Sequence, residues 1–434
     1  MKKGLFLGCM LVLLVGVFSV SEGGIFDIFK KNDAGKTKKV EELVMWNSQF
    51  VTEWAGREES SKYFKDNTKL KVSSDFGPSL YRDMSQKFII QAKTGKPDVI
   101  EGTLEQLFSY AKAGLLMPID EQFYSDSESE NYNANVLDPL KVDGKLYGIP
   151  YNTNVRLLLY RKSIFKKYGL TPPTNWEELV KTAAFINKKE ANMEGFVFTT
   201  KTREVRAFQE FMSFYLQLNK HMFKVTDGKV DYVATEAQLT QVLQLYYDMF
   251  FQGAISLEAR GGDWKATDYG YTNGNCAMST IGPWIWGHRY EDPARGDVLD
   301  DTGVIQLPVA KNGTPATYME IKPMMINKFT KQPEKAYELL KESTSKGLQI
   351  VMNLKSGVMP GRKDSFADPK IANNPWLSAF GKFADTGVAL DPIAWDQAQN
   401  KIIEAIQITI YEQKTPAEAG AWLNEELEKI SKGL

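Results

Sequence analysis

Apolar and polar positions alternate along this chain in bursts of strand length and helix length, taken in turn. Leu43 to Trp46 is a compact apolar run that reads as a strand, a charged helix is expected over roughly Gly56 to Asn67, and Leu70 to Ser73 is the next strand. The helical pattern around Tyr81 to Thr94 stops at Gly95, and Pro97-Asp98-Val99-Ile100 follows as a short buried strand. A helix over Leu104 to Ala113 then turns at Gly114. Strands alternating with helices predict an α/β fold class with a parallel sheet covered on both faces.

Val142 to Lys162 breaks that rhythm. Asp143-Gly144 is a hairpin signal. Tyr147 to Pro150 and Val155 to Tyr160 are two extended pieces joined by the polar Asn152-Thr153-Asn154, which suits a crossover between two lobes. Thr174 or Asn175 caps the next helix, with Glu177 and Glu178 in its first turn. Helical stretches are expected over Val205 to Leu218, Glu236 to Phe251, Lys331 to Ser345, Ala398 to Glu412 and Pro416 to Lys432. Between them, Tyr269 to Trp286 reads as a polar turn with Gly270 and Gly274, a buried strand around Cys276 to Met278, and a stop at Gly282-Pro283. That stop presents Trp284 and Trp286. Rings held past a strand end form a candidate binding platform, the alternative being ordinary core.

Length adds a second domain to this picture, because 434 residues exceed the size at which one core stops growing. Charge removes a class of partner: 53 basic and 54 acidic side chains give a net charge of -1, so nucleic acid is not expected. Lys2 and Lys3 before the apolar run Leu5 to Val20 read as the n- and h-regions of a secretory signal peptide over residues 1–21, the alternatives being a retained anchor or lipidation at Cys9, and residues 22–39, rich in glycine and lysine, read as a flexible tether. Without that segment one cysteine, Cys276, is left, so no intramolecular disulfide is possible. His221 and His288 stand at no metal-ligand spacing. Neither a metal nor a cofactor is expected.

Four segments, in order, carry a resemblance: Gly95 to Leu116, the crossover from Asp143 into the helix at Thr174, Asn273 to Trp284, and Ser356 to Asp364. Together they resemble the extracellular solute-binding proteins of ABC importers, and are most similar to the maltose/maltodextrin-binding family. The resemblance implies a two-lobed periplasmic-binding-protein-like fold with hinge crossovers and an interlobe ligand cleft. It implies an N-terminal lobe of residues 40–152 and 322–366, and a C-terminal lobe of residues 155–321 and 367–434. Asn152 to Arg156 and Tyr318 to Lys322 become hinge and cleft floor. It further implies a sugar ligand, permease subunits as partners, a monomer, and a periplasmic or envelope-attached location after secretion across the inner membrane.

The same resemblance selects site residues. Ser48, Gln49 and Phe50 follow the first strand, Glu101, Glu105 and Gln106 follow the strand at Pro97, and Asn154 and Arg156 lie in the crossover. Trp284 is the stacking ring, Trp264 a lid contact, Glu320 a hydroxyl acceptor beside the second crossover, and Trp395 a late aromatic contact. Arg203 and Glu204 are similarly placed. Planar hydrogen-bonding groups beside aromatic plates suit a sugar, whose hydroxyls donate and accept and whose C–H faces are apolar. Each residue has a structural alternative: a solvated helix face for Glu101 and Glu105, a hinge ion pair for Arg156, packing for Trp286, and a structural turn for Arg362. Gly102 and Gln106 stand where the family has an aromatic ring and a positive charge, and Asn154 where it has a carboxylate, which puts maltose in doubt.

Two other functions compete. A glycosidase using Glu101 and Glu105 is disfavoured, because carboxylates one helical turn apart do not flank a bond. A polyamine-binding protein would use Glu101, Glu105 and Glu320, whereas a phosphate ester calls for Arg or Lys clustered at a helix N-terminus, which the candidate cleft lacks.

Overall fold

The computed structural model describes residues 42–47, 62–63, 65–76, 81–226 and 228–434. The expected signal peptide and tether, Ser48 to Phe50, and most of the helix expected over Gly56 to Asn67 lie outside the described residues, although positions 62–63 and 65–67 are helical. Among the described residues no helix is long and apolar enough to cross a membrane.

Two sheets organise the chain. The larger one draws on β1 (Leu43–Asn47), β2 (Val72–Phe76), β3 (Val99–Glu101), β4 (Ile149–Val155), β9 (Thr317–Ile326), β10 (Met359–Pro360) and β11 (Gly387–Val388). Its order is β10-β4-β9-β3-β1-β2, with β11 paired to the start of β9. The smaller sheet contains β5 (Leu157–Arg161), β6 (Glu194–Val197), β7 (Cys276–Ile281) and β8 (Thr302–Ile305), in the order β8-β5-β7-β6.

Neither sheet is purely parallel, as the alternation of strands and helices had suggested. Parallel pairing holds β1 to β2 and to β3, and β7 to β6, but β4, β5, β8 and β10 all pair antiparallel with their neighbours. The physical reason is that β4 and β9 are crossover strands running between the sheets, and an antiparallel pair needs no covering helix between its members.

The first crossover is tighter than the pattern predicts. The polar triplet Asn152-Thr153-Asn154 does not interrupt the strand; β4 runs through it to Val155, and β5 begins at Leu157, so Arg156 alone lies between the strands. The Arg156 carbonyl accepts the Thr317 hydroxyl at 2.7 Å, which ties the two crossings together. Alternation along β5 then serves both sides: Leu157 and Leu159 enter one core with Trp46, Phe88 and Met324, while Leu158 enters the other with Phe196, Tyr246 and Leu423.

Local rules account for the helices that reach the crossing. α1 (Leu104–Lys112) starts in a capping box: Thr103 accepts from the Gln106 amide, and Gln106 Oε1 accepts from the Thr103 amide at 3.1 Å. α2 (Val205–Tyr215) is buried along nearly its whole length, including Gln209 and Glu210. α3 (Trp264–Thr272) extends through Tyr269 and Gly270, so the expected polar turn shrinks to Asn273-Gly274, where Gly274 takes φ +81°. Gly270 is an ordinary helical position.

Candidate functional site

At Gly282-Pro283 the chain leaves β7 and winds into a 3-10 segment, Pro283–Tyr290. Gly282 is required there, because a Cβ would overlap the ring of Trp284. The indole is thereby folded back and buried, at 7% exposure. Its N–H donates to Asp268 Oδ2 at 2.8 Å, and Arg206 grips the same carboxylate through Nη1 at 2.8 Å and Nη2 at 3.3 Å. Both Arg206 and Arg156 lie over the indole, their guanidinium carbons 4.6 and 5.1 Å from its ring centroid. The aromatic plate is therefore faced by cations.

Arg156, fully buried at the crossing, also lies 5.1 Å over Tyr318. Its Nη2 donates to Gln209 Oε1, while its Nε and Nη1 are buried with no hydrogen-bond partner. Burial, and then the charge of Arg206, hold this guanidinium below the usual arginine range. Gln209 Nε2 reaches the Tyr318 hydroxyl and Glu320 Oε1, each at 3.4 Å. Tyr318 donates in turn to Glu105 Oε1 at 2.7 Å, leaving Glu105 Oε2 buried and unpartnered. Burial raises the Glu105 carboxyl above its ordinary range, with Glu320 adding to the effect.

The network continues into β4. Asn154 Nδ2 donates to Asn152 Oδ1 at 3.1 Å and to Glu320 Oε2 at 3.4 Å, and Asn154 Oδ1 accepts from the Met359 amide at 3.1 Å. Asn152 Nδ2 is buried without a partner. Lys322, also buried, stands 3.9 Å from Glu320. Glu210 lies one position beyond Gln209, with both its oxygens on Thr199, at 2.8 Å to the amide and 3.0 Å to the hydroxyl. Burial pushes its carboxyl up to about 8.

Of the residues selected from sequence, the structure brings together Glu105, Asn154, Arg156, Trp284 and Glu320. Glu101 is fully buried at the end of β3, opposite Met324 in β9. Gln106 is engaged in its capping box, and the room beside it is filled: a Cβ on Gly102 would come 2.6 Å from Met325 Cε. Trp264, at the start of α3, packs near Tyr269 with ring centroids 5.8 Å apart. Trp395 is placed in the second core, 2% exposed, between Phe208 and Phe223, and its N–H donates to the Asp391 carbonyl at 2.8 Å. Trp286 packs on Trp376 with centroids 5.3 Å apart, and Arg362 is held by Glu128 and Asp364. Arg203 is exposed, at φ +59°. Ser48, Gln49 and Phe50 lie outside the described residues.

Arg206, Gln209 and Asp268 were not selected from sequence. The signal was present in α2, where Arg206, Gln209, Glu210 and Ser213 interrupt an otherwise apolar helix at helical spacing. The expectation that the cleft lacks clustered basic groups is corrected by geometry, since Arg156 and Arg206, 50 positions apart, meet on one indole.

Two α/β bodies joined by crossing strands, with unsatisfied hydrogen-bonding groups gathered at the crossing, define a hinged two-lobed binding protein. Residues 48–350 match the family described as bacterial extracellular solute-binding proteins, and the chain belongs to that family. An uncharacterized ABC transporter extracellular-binding protein of Pyrococcus horikoshii is 28% identical over 237 residues, 52% of this chain, and the match spans about half, 51%, of that relative's length. Among solved structures, maltose-bound MalE3 of T. maritima shares the fold with a TM-score of 0.78 at 20% identity, covering 90% of this chain and 99% of that one. A Thermotoga lettingae ABC transporter solute-binding protein bound with α-D-tagatose gives 0.78 at 22% identity, covering 90% and 100%.

Proposed function

We propose that this solute-binding protein captures a sugar, a disaccharide or oligosaccharide, between its two lobes and hands it unchanged to the permease of an ABC importer. The observation that carries this reading is the set of unsatisfied buried polar atoms around Trp284 and Tyr318: Arg156 Nε and Nη1, Asn152 Nδ2 and Glu105 Oε2. Buried polar atoms without partners cost free energy unless a ligand completes them, and a polyhydroxylated solute supplies several hydrogen bonds at once beside the rings. The sugars bound by the fold's solved relatives point the same way. The lobe boundaries fall, in this reading, between Asn152 and Val155 and between Ile321 and Lys322, and the remaining cleft contacts come from Glu101 and Glu320.

Thermal-shift measurement against a panel of mono-, di- and oligosaccharides, with polyamines alongside, tests it. A bound solute at 100 times its dissociation constant adds about 2.7 kcal/mol of stability. A rise with a sugar is the expected result. A rise with polyamines alone overturns the sugar reading.

A further inference from the structure

The unsatisfied atoms at the crossing are unequal in kind. Arg156 Nε, Arg156 Nη1 and Asn152 Nδ2 can only donate. The orientation of the Asn152 amide is fixed, because its Oδ1 already accepts from Asn154 Nδ2 at 3.1 Å. A neutral hydroxyl would satisfy one such donor while bringing a proton of its own that needs an acceptor. A carboxylate brings acceptors only.

Charge points in the same direction. Arg156 is a buried cation whose hydrogen bond goes to the neutral amide of Gln209. The carboxyl groups around it are engaged elsewhere. Asp268 holds Arg206 and the Trp284 N–H, Glu210 has both oxygens on Thr199, and Glu320 accepts from Gln209 and Asn154 with Lys322 at 3.9 Å. Arg206, on the same indole, repels Arg156. A buried guanidinium without an anion in contact is costly, and a charge-assisted bond to a carboxylate is its strongest remedy. The fourth unsatisfied atom, Glu105 Oε2, becomes a donor when the carboxyl is protonated, the form that its burial favours.

We infer that the solute is an acidic sugar, one carrying a carboxylate as a uronic acid unit does, with Arg156 as the anchor for that carboxylate and Asn152 and Glu105 donating to other oxygens of the same molecule. This rests on the sugar reading above.

The test is isothermal titration of the full secreted chain with matched disaccharide pairs, each pair differing only in a C6 hydroxymethyl group or a C6 carboxylate. The acidic member is expected to bind about tenfold tighter or more. Neutral members binding as well as acidic ones overturn this inference and leave the sugar reading standing; no binding across all pairs overturns both. R156K keeps the charge and removes the planar donors, and should lose about tenfold for the acidic member. E105Q, on α1 and outside the crossing strands themselves, keeps an oxygen to accept from Tyr318 and fixes a donor where the other carboxyl oxygen stands; it should tighten the acidic member severalfold, so it keeps the test decisive even where R156K fails to fold. Weaker binding by E105Q overturns the donor-only reading.

Discussion

The indole N–H of Trp284 and the carboxylate of Asp268 are joined by a buried 2.8 Å hydrogen bond, and the same carboxylate holds Arg206. One anion thus orients both the aromatic plate and a cation lying over it. W284F keeps an aromatic face and deletes the donor, and should lower unfolding free energy by about 1–2 kcal/mol in a urea titration. W284A removes the plate as well and should weaken the sugar by about 1–3 kcal/mol in isothermal titration. Unchanged affinity in W284A would return this ring to the core.

Glu210 makes stability fall on the alkaline side. Its carboxyl is pushed up from 4.5 to about 8 by burial, with Arg206 opposing the shift. The folded state therefore holds this proton more tightly than the unfolded chain does. The contribution is fully present below pH 4.5 and is lost as pH rises through about 8, with a limiting slope of about 1.4 kcal/mol per pH unit. Urea titrations of the native chain and E210Q from pH 6 to 9 should diverge, the variant having the flatter profile.

His288 acts with the opposite sign. Its ring is stacked on Tyr269 at 4.3 Å and 3°, Nδ1 lies 2.9 Å from the Thr272 hydroxyl, and burial lowers its pKa from 6.5 to about 4. Protonation is resisted in the folded state, so stability is present above pH 6.5 and is lost as pH falls through about 4. Between pH 4.5 and 6.5 this loss opposes the gain from Glu210, and the native profile should be shallow there. H288Q should remove the acid-side loss; a variant that tracks the native profile would show that the buried ring does not titrate in this window.

Asn154 holds the short strand β10 to the crossover, since its Oδ1 accepts the Met359 amide at 3.1 Å. N154A leaves that buried amide without a partner and should cost about 1–3 kcal/mol of stability. N154D keeps the acceptor for Met359 but turns a carboxylate oxygen on Glu320 and on Asn152 Oδ1 where Nδ2 had donated, so it should be no more stable than N154A. The comparison in urea separates the lost acceptor from the lost donor.

The elements were legible because their signals are local. Gly95 at φ +88° closes its helix, Asn175 caps its own by accepting from the Glu178 amide, and Asp143-Gly144 turns a hairpin, all as short-range rules predict. The crossover was half legible. Polar residues at 152–154 suggested a break, yet they remain in the strand because Asn154 bonds to both Asn152 and Glu320. What periodicity cannot convey is which distant side chains share a space: Arg206 on α2 and Asp268 on α3, 62 positions apart, meet beside Trp284 only in the folded chain. The resemblance supplied Trp284 and Arg156 but not the second cation.

Trp395 tests the division between core and site. It packs between Phe208 and Phe223, with centroid separations of 5.6 and 5.3 Å, and spends its N–H on the Asp391 carbonyl. A ring used this way stabilises the second core and has no face left for a solute. W395F, losing the hydrogen bond and part of the contact, should cost about 1–3 kcal/mol in urea unfolding. Sugar affinity should stay within about twofold of native, because a change of that size is well under the 1.4 kcal/mol of a tenfold effect. A tenfold loss of affinity with unchanged stability would move Trp395 out of the core and into the binding site.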